Sequence, residues 1–390
     1  MRSQWDVVIV GAGPAGAAAA LGVLRADPSL AVALLDRDDF PRDKSCGDGI
    51  APHVFDLLAD VGVTGLTDDL IPVRRLQLQR GPLAVGREMA RPAWVIPRTV
   101  FDHRLLLAAL DAGATLIRHR VRSLQLDPLR VDDLEAKVLV GADGAHSVVR
   151  RMLGVRPGPM ALAIRGYAPT PPDRAGVQLI VFGTNRQPSY AWSFDRGDGL
   201  ANIGYGESLP DARSDRWSDT RSDRRPRPTR RELLSQLDRL LPGAAEGATD
   251  WRAHHLPLAV PSWRAGEGRV LLAGDAAGLV NPMTGEGIYY AVATGLLAGQ
   301  AAAEAVRSGD FARLVPRYRR ASRALLGKHF RHTALSARLC RSGKVLDAGI
   351  RAAAADQRVF DDLVELGLAN GRITPATIRG LATHLRTRPS

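Results

Sequence analysis

Three glycines near the start of the chain and one aspartate further on have the types and spacing of a nucleotide-binding site. Gly11, Gly13 and Gly16 form a G-x-G-x-x-G motif, and Asp36 lies 20 positions beyond Gly16. Such glycines permit a tight turn, a close approach of the backbone to a pyrophosphate and close helix packing, and the acidic residue accepts hydrogen bonds from a ribose. The motif alone is weak, but together with Asp36 it predicts a dinucleotide site.

The surrounding elements agree with this interpretation. A β-branched run at 7–10 leads into the glycines, an alanine-rich helical pattern follows, and a second apolar run at 30–35 ends at Asp36. These make a βαβ unit of the expected length. Two further strand candidates, 136–140 and 269–272, are also followed by a glycine-containing turn, which we call a glycine corner. We therefore predict one nucleotide-binding domain that is assembled from distant segments.

The last of these corners offers further polar groups. Asp275 follows a predicted strand and precedes a helix, so its carboxylate can take a ribityl or ribose hydroxyl while the next backbone N–H groups face an anion. Gly285 and Gly287 begin a predicted alanine-rich helix at about 285–306. Free backbone donors at that helix start can bind a polar ring edge or a pyrophosphate. Two unrelated helix caps are the alternative interpretation.

The segments between these corners differ from them in amino-acid composition. Residues 74–97 and 162–206 hold short runs rich in Thr, Tyr, Trp, Val and Ile between Gly and Pro turns, which predicts antiparallel sheet and a candidate substrate domain. Residues 211–232 are almost wholly charged or polar and predict a mobile loop. Beyond residue 307 the chain is arginine-rich with a helical pattern.

Composition limits the classes of function. The chain has 390 residues and is 45% hydrophobic, it has only two cysteines, and it shows no clustered Cys/His set, so we expect neither a disulfide framework nor a metal site. The net charge of +12 could indicate an anionic partner. Only four of the 53 basic residues are lysine, however, which is more typical of codon bias, and no nucleic-acid motif is present. No transmembrane segment or secretory signal is visible, so we expect a cytoplasmic protein.

Three stretches carry a resemblance to a known family. GAGPAG near the start, GADGAHSVVRR in the middle and GRVLLAGDAAGLVNPMTGEGIYYA towards the end resemble FAD-dependent oxidoreductases of the para-hydroxybenzoate hydroxylase fold, and most closely the geranylgeranyl reductase family. The resemblance covers roughly residues 1–325. It implies bound FAD, with Asp143 and Gly144 beside the pyrophosphate and Arg98 opening a helix near the cofactor.

The resemblance extends to two shorter patterns. Geranylgeranyl reductases carry P-x-x-K-x-C-G, which Lys44, Cys46 and Gly47 match after Pro41, whereas Asp48 departs from the small residues that usually follow. They also carry P-x-x-Y-x-W-x-F-P, which lines the substrate cavity.

In this chain the second pattern is incomplete. Tyr190, Trp192 and Phe194 keep the aromatic spacing, but Pro188 stands one residue closer than the pattern has it and Asp195 replaces the closing proline. Alternation places the three rings on one strand face, which is either a core stripe or a cavity wall.

The predicted fold class is α/β: a Rossmann-like FAD-binding domain with an inserted antiparallel-sheet substrate domain and a helical C-terminal region. The predicted bounds are 1–73, 98–160 and 262–325 for the FAD-binding domain, 74–97 and 161–261 for the substrate domain, and 326–390 for the helical region. Predicted cofactor contacts are Gly11, Gly13, Ala15, Gly16, Asp36, Arg37, Lys44, Cys46, Gly47, Arg98, Asp143, Gly144, Asp275, Gly285, Gly287 and Ile288, and predicted catalytic residues are Cys46, Tyr190 and Trp192.

The leading functional hypothesis is reduction of carbon–carbon double bonds in an isoprenoid or similar lipophilic substrate by hydride from reduced FAD, with Cys46 or Tyr190 as proton donor. Oxygen chemistry on the same scaffold is the alternative: a hydroxylase or epoxidase, or less favourably a halogenase, whose W-x-W-x-I-P signature is missing. A flavin-binding sensor is a third class.

No second dinucleotide motif appears in the sequence, so electrons would come from NAD(P)H that visits the flavin or from a separate reductase or ferredoxin. Peripheral membrane contact through the 211–232 loop or the basic tail is left open, as is the oligomeric state.

Overall fold

A computed structural model describes residues 3–210 and 227–386, and their strands form two eight-stranded sheets. In chain order the strands are β1 (Gln4–Val10), β2 (Val32–Asp36), β3 (Gly49–Ile50), β4 (Val73–Arg80), β5 (Leu83–Val95), β6 (Thr115–Arg118), β7 (Leu124–Leu126), β8 (Leu129–Val131), β9 (Leu134–Gly141), β10 (Met160–Pro169), β11 (Val177–Phe182), β12 (Ser189–Asp195), β13 (Leu200–Ser208), β14 (Thr249–Pro257), β15 (Gly266–Glu267) and β16 (Val270–Leu272). The helices are α1 (Pro14–Ala26), α2 (Pro52–Ala59), α3 (Arg98–Asp111), α4 (Val148–Met152), α5 (Arg230–Leu240), α6 (Ile288–Ser308), α7 (Leu314–Leu339), α8 (Gly343–Ala355), α9 (Gln357–Leu368) and α10 (Pro375–Arg386).

The first sheet brings the glycine corners together. Its order is β15-β16-β9-β1-β2-β6, and β16, β9, β1, β2 and β6 run parallel. At one edge Gly141 pairs with Val10 on one side and with Leu272 on the other. Because parallel strands end at the same edge of a sheet, the three corners that follow β1, β9 and β16 meet there.

Small residues allow the two long alanine-rich helices of this layer to approach closely. A Cβ placed on Gly22 of α1 would lie 2.4 Å from the carbonyl oxygen of Leu296, and one on Gly299 of α6 would lie 2.1 Å from the carbonyl oxygen of Ala19. No side chain fits at either position without moving the backbone. The glycines of both helices therefore set the distance at which α1 and α6 pack against each other.

The second sheet has the order β14-β10-β13-β12-β11-β4-β5-β3, and its pairs are antiparallel except for β11 with β4. It joins the two segments for which the sequence predicted antiparallel strands. Helix α5 packs on one face through Leu233 and Leu237. Helices α8 and α9 pack against β4 and β5, where Ile350 and Phe360 share an apolar cluster with Leu76.

The predicted fold class is confirmed, with differences at element ends. Helix α6 begins at Ile288 rather than near Gly285, because Gly285 has a φ of +73° that a helix cannot include. Of the loop predicted at 211–232, residues 211–226 lie outside the described residues. Its end is wrong, because α5 begins at Arg230, where Thr229 and Glu232 form a reciprocal capping box. The domain bounds stay a prediction.

Candidate functional site

The predicted site residues converge on one cavity of about 1480 Å³. Every predicted cofactor contact and catalytic residue lines it except Gly16, which lies beneath the glycine turn. The cavity begins between β1, β2 and β9, passes the segment around Cys46, and continues between β4, β11 and the helices α7 to α10. We call the part around Gly11, Asp36 and Asp143 the nucleotide end, and the part between β4, β11 and α7 to α10 the apolar end.

The glycine turn of the nucleotide end is fixed by backbone contacts. Gly11 has a φ of +100° and its N–H donates to the carbonyl of Leu35 at 2.7 Å. A Cβ on Gly11 would lie 2.4 Å from the carbonyl oxygen of Ala142, and one on Gly16 would lie 1.7 Å from that of Gly11. Helix α1 starts at Pro14, which has no N–H, and has no side-chain cap. The N–H of Gly16 donates to the carbonyl of Gly13 at 2.9 Å, so the N–H of Ala15 remains available to an anion.

Asp36 ends β2 inside the cavity, and its carboxylate can accept more hydrogen bonds than the protein supplies. One carboxylate oxygen accepts from the N–H of Ala12 at 2.9 Å and the other from the N–H of Asp38 at 3.0 Å. Each oxygen keeps a free lone pair, which suits the hydroxyls of a ribose. The neighbouring Arg37 is largely exposed and pairs with Asp38. Arg42, which the sequence did not single out, lies 3.0 Å from a Cβ built on Gly13 and supplies a cation beside the glycine turn.

Lys44 and Asp275 meet across the middle of the cavity. The ammonium nitrogen of Lys44 donates to a carboxylate oxygen of Asp275 at 3.1 Å, although the two residues are 231 positions apart. Burial is the largest influence and opposes the charge of Asp275, but Lys44, His254 and Arg98 together hold the pKa of that carboxyl below its usual range. His254 faces the same pair, and burial together with the charge of Lys44 lowers its pKa to about 4. Gly287 approaches Asp275 here, at the start of α6.

Two predicted residues use their polar groups within the fold. Arg98 opens α3 as predicted and is buried, and its guanidinium makes a bidentate ion pair with Asp102 at 2.5 and 2.7 Å. The carboxylate of Asp143 accepts from the hydroxyl of Ser147 and from the N–H of Val148 at 2.6 Å, so it stabilises the start of α4. The adjacent Gly144, at a φ of +77°, turns the chain along the cavity wall.

Cys46 lies at the centre of a polar network that the sequence did not reveal. Its sulfur accepts from the N–H of Asp48 at 3.3 Å, and its carbonyl accepts from the amide of Asn202 at 2.8 Å. Asp48 is fully buried at a φ of 60°, and one of its oxygens accepts from Asn202 at 2.8 Å and from the Tyr167 hydroxyl at 2.6 Å. The other oxygen of Asp48 is buried without a partner in the described structure.

The pKa values of this network follow from burial. Desolvation raises the pKa of the Cys46 thiol to about 11, against the opposing charge of Arg98. It raises the pKa of Asp48 to about 6, even though Tyr167 and other donors favour the carboxylate. Glu286, which lines the same cavity between two glycines, has a pKa raised by burial to about 7. Glu286 therefore titrates near neutral pH, and Asp48 titrates somewhat below it.

The aromatic row forms one wall of the cavity rather than a plain core stripe. Tyr190, Trp192 and Phe194 all line it, and a Cβ on Gly47 would lie 3.5 Å from the Phe194 ring and 3.7 Å from the Trp192 nitrogen. The Trp192 N–H donates to Asn202 at 2.8 Å, and the Tyr190 hydroxyl donates to the carbonyl of Thr284. The indole N–H of Trp192 and the hydroxyl of Tyr190 are therefore both hydrogen-bonded within the protein, and the ring surfaces face the space beside Gly47.

The nucleotide end fits FAD. A glycine turn that no side chain can replace, the N–H of Ala15 at the start of α1 and the spare lone pairs of Asp36 match a pyrophosphate and an adenosine ribose. Arg42 adds positive charge beside the turn, although it also forms ion pairs with Asp36 at 3.9 Å and Asp102 at 3.5 Å. Single small-molecule pockets typically measure about 300 to 1,000 Å³, so this cavity has room for a second molecule next to the cofactor. The fold and site define an FAD-dependent oxidoreductase.

Comparisons with known proteins agree. A sequence model described as an FAD-binding domain matches residues 104–329. The menaquinone reductase of Mycolicibacterium smegmatis is 33% identical over 375 residues, which cover 85% of this chain and 82% of the relative. Digeranylgeranylglycerophospholipid reductase 1 of Methanopyrus kandleri is 31% identical over 339 residues, covering 79% and 82%.

A solved structure gives the same fold. The geranylgeranyl bacteriochlorophyll reductase-like protein of Thermoplasma acidophilum superimposes with a TM-score of 0.70 over 98% of this chain and 96% of that one, at 19% identity. The chain belongs to the FAD-dependent geranylgeranyl reductase family.

Sequence reasoning missed the residues that reach the site from far along the chain. Asn202 and Tyr167 contact Asp48 from β13 and β10, and no motif surrounds either of them. Glu286 was visible inside the G-E-G stretch, where a carboxylate between two glycines at a helix start was the available signal. Arg42 was equally visible, two residues before Lys44.

Proposed function

We propose that this protein reduces carbon–carbon double bonds in the polyprenyl chain of a lipid. The observation that carries the proposal is the continuity of the cavity: a wall of aromatic rings beside Gly47 leads directly into the apolar end. Leu76 and Ile180 of the sheet and Leu346 and Ile350 of α8 all line that end. A cavity end lined by apolar side chains fits a prenyl chain better than a polar substrate.

The names of the relatives support the same class of substrate. Menaquinone and digeranylgeranylglycerophospholipid differ in their head groups, and both carry polyprenyl chains. Because the head groups differ, we propose that the chain itself is the element recognised here.

Reduction of an isolated double bond requires a hydride at one carbon and a proton at the other. Bound and reduced, FAD supplies the hydride and is oxidised. We propose that the aromatic row would orient the double bond for this transfer, with Trp192 held by its hydrogen bond to Asn202. Orientation and exclusion of water are the contributions of the protein to such a step.

The proton comes from a side chain of the cavity. Tyr190 is a poor donor, because burial raises its pKa further and its hydroxyl is held by Thr284. The pKa of Cys46 is about 11 and that of Glu286 is about 7, so each group carries its proton below that pH. Cys46 and Glu286 are therefore the two candidate donors, and the pH dependence of turnover distinguishes them.

Electrons reach the flavin from outside the chain in this proposal. A nicotinamide that visits the cavity, or a separate reductase or ferredoxin, would supply them. Stopped-flow mixing of the oxidised protein with NADH or NADPH, with flavin absorbance as the readout, tests the first source. We expect bleaching by one of the two nucleotides, and an unchanged spectrum with both would assign the role to a protein donor.

The decisive experiment uses dithionite-reduced protein and a polyprenyl lipid under strict anaerobiosis. We expect a mass gain of two hydrogens per double bond reduced. Product that forms only after oxygen is admitted, with one oxygen atom added, would overturn the reductase proposal in favour of a monooxygenase. Denatured protein with free FAD is the control for reduction by dithionite alone.

A further inference from the structure

Four exposed leucine and isoleucine side chains surround the far mouth of the cavity. Leu335 and Leu339 on the last turns of α7, and Ile378 and Leu385 on α10, are between 42% and 58% exposed. All four also line the cavity, so the apolar end reaches solvent between these two helices. We call these four residues the apolar rim.

The rim differs from other exposed apolar residues of the chain. Ile71, Leu107, Leu126 and Leu200 are comparably exposed in the described structure, but none of them lines the cavity. Single exposed leucines are ordinary on a protein surface, whereas a group of them around a cavity mouth indicates an interaction site.

The segment that carries Leu335 and Leu339 is rich in basic residues. Residues 314–346 contain nine lysines and arginines and no acidic residue, and α10 contains no acidic residue either. Arg338, Arg341 and Lys344, beside Leu339, are exposed and form no ion pair within the described part of the chain. An apolar patch within a cationic collar matches a bilayer surface that carries anionic head groups, because hydrocarbon and phosphate are then both complemented.

We propose that the apolar rim inserts into an anionic lipid bilayer, so that a membrane-dissolved substrate enters the apolar end without crossing water. No helix within residues 3–210 and 227–386 is long and apolar enough to span a membrane. Entry of a substrate through this contact rests on the proposed function, whereas binding to the bilayer does not. A second copy of the chain or a protein partner on the same face would be the competing occupant.

The test is sedimentation of the FAD-bound protein with phosphatidylcholine vesicles, with and without phosphatidylglycerol. We expect binding that requires phosphatidylglycerol and weakens with salt. The double variant Leu339→Ser/Ile378→Ser should lower the partition coefficient about tenfold or more. The matched control Leu107→Ser/Leu126→Ser removes equally exposed leucines elsewhere and should bind as the wild type does.

A charge variant separates docking from chemistry. Arg338→Gln/Arg341→Gln/Lys344→Gln should lose vesicle binding and slow the reduction of a vesicle-embedded polyprenyl lipid, while its turnover of the same lipid in detergent stays at the wild-type rate. Equal vesicle binding by the rim variant, the charge variant and the wild type would overturn the proposal.

Two further outcomes are distinguishable from that one. Absence of vesicle binding together with a dimer that only the rim variant disrupts, measured by light scattering, would also overturn the proposal and assign the rim to a second copy. Vesicle binding without any reduction of prenyl lipids would support the docking surface and refute only the proposed function.

Discussion

The two ends of the cavity are built in opposite ways. At the nucleotide end, backbone atoms and charged side chains hold fixed positions, as in the turn at Gly11, the hydrogen bonds of Asp36 and the ion pair between Lys44 and Asp275. At the apolar end, leucine, isoleucine and valine side chains from a sheet and four helices enclose the space with few directed contacts. The first construction selects one ligand shape, and the second selects by length and bulk.

This difference sets the expected response to mutation. A directed contact fails when a single atom is added or removed, because no neighbouring group can take its place. An apolar wall loses only a share of its contact area, and the remaining side chains repack in part. Substitutions at the nucleotide end should therefore abolish cofactor binding, whereas those at the apolar end should change which chain lengths are accepted.

The largest expected effect is that of Gly16→Ala. The added Cβ would lie 1.7 Å from the carbonyl oxygen of Gly11, so the phosphate turn must move. We expect protein without bound flavin, measured as the ratio of absorbance at the flavin band to that of the protein. The control is Gly327→Ala in α7, where the nearest atom to the new Cβ is 3.7 Å away, and it should keep its flavin. Wild-type flavin content in Gly16→Ala would contradict the rigid-turn account.

The next largest effect is expected for Glu286→Gln, which removes one of the two candidate proton donors. A proton donor with a pKa of about 7 acts in its neutral form, so activity should be full below that pH and fall as pH rises through it. In Glu286→Gln we expect turnover to fall by about 10² or more and the decline near pH 7 to disappear. Flavin content measured in parallel excludes a binding defect as the cause.

The alternative donor gives a different profile. The Cys46 thiol keeps its proton up to a pKa of about 11, so a decline only in that range, retained in Glu286→Gln, would assign the step to Cys46. Cys46→Ser and Cys46→Ala complete the comparison. Equal turnover in both, with flavin retained, would indicate that the sulfur serves packing alone.

The same contrast explains what the sequence could predict. Gly11, Asp36 and Asp275 carry local signals, and parallel strands that end at one edge bring such corners together, so most of the nucleotide end was predictable. The apolar end was not, because the helical period of residues beyond 307 shows an amphipathic helix but not the surface it covers. Asn202 reaches Asp48 from 154 positions away, which only the register of the second sheet determines.

Gly349→Leu should change selectivity rather than cofactor binding. Gly349 lines the apolar end on α8, and a Cβ there meets nothing closer than 3.9 Å, so a leucine would project into the space for the chain. We expect kcat/KM to fall about tenfold for a long polyprenyl chain and less for a short one. The control Ala354→Leu places the same side chain on the exposed face of α8. An equal loss for all chain lengths would contradict a length-selective apolar end.

The smallest expected effect concerns the contribution of Asp48 to stability. Asp48 lies in the segment around Cys46 that connects the two ends of the cavity, which we call the junction. Burial raises the pKa of Asp48 from 3.8 in the unfolded chain to about 6, so folding favours its neutral form. The stability from this group is complete below pH 3.8 and is lost as pH rises through 6. Asp48→Asn stays neutral, and we expect its free energy of unfolding to exceed that of the wild type by on the order of 2 kcal/mol above that range, with little difference at acid pH.

Urea unfolding at several pH values measures this difference, and Asp198→Asn, at a half-exposed carboxylate, should show no such trend. If the gap between Asp48→Asn and the wild type is constant with pH, folding leaves the pKa of Asp48 at its value in the unfolded chain. Its charge would then be compensated by Arg165 and the other cations near the network, and the junction would belong electrostatically to the nucleotide end. A gap that opens between pH 4 and 6 places the junction instead in the low-dielectric surroundings of the apolar end.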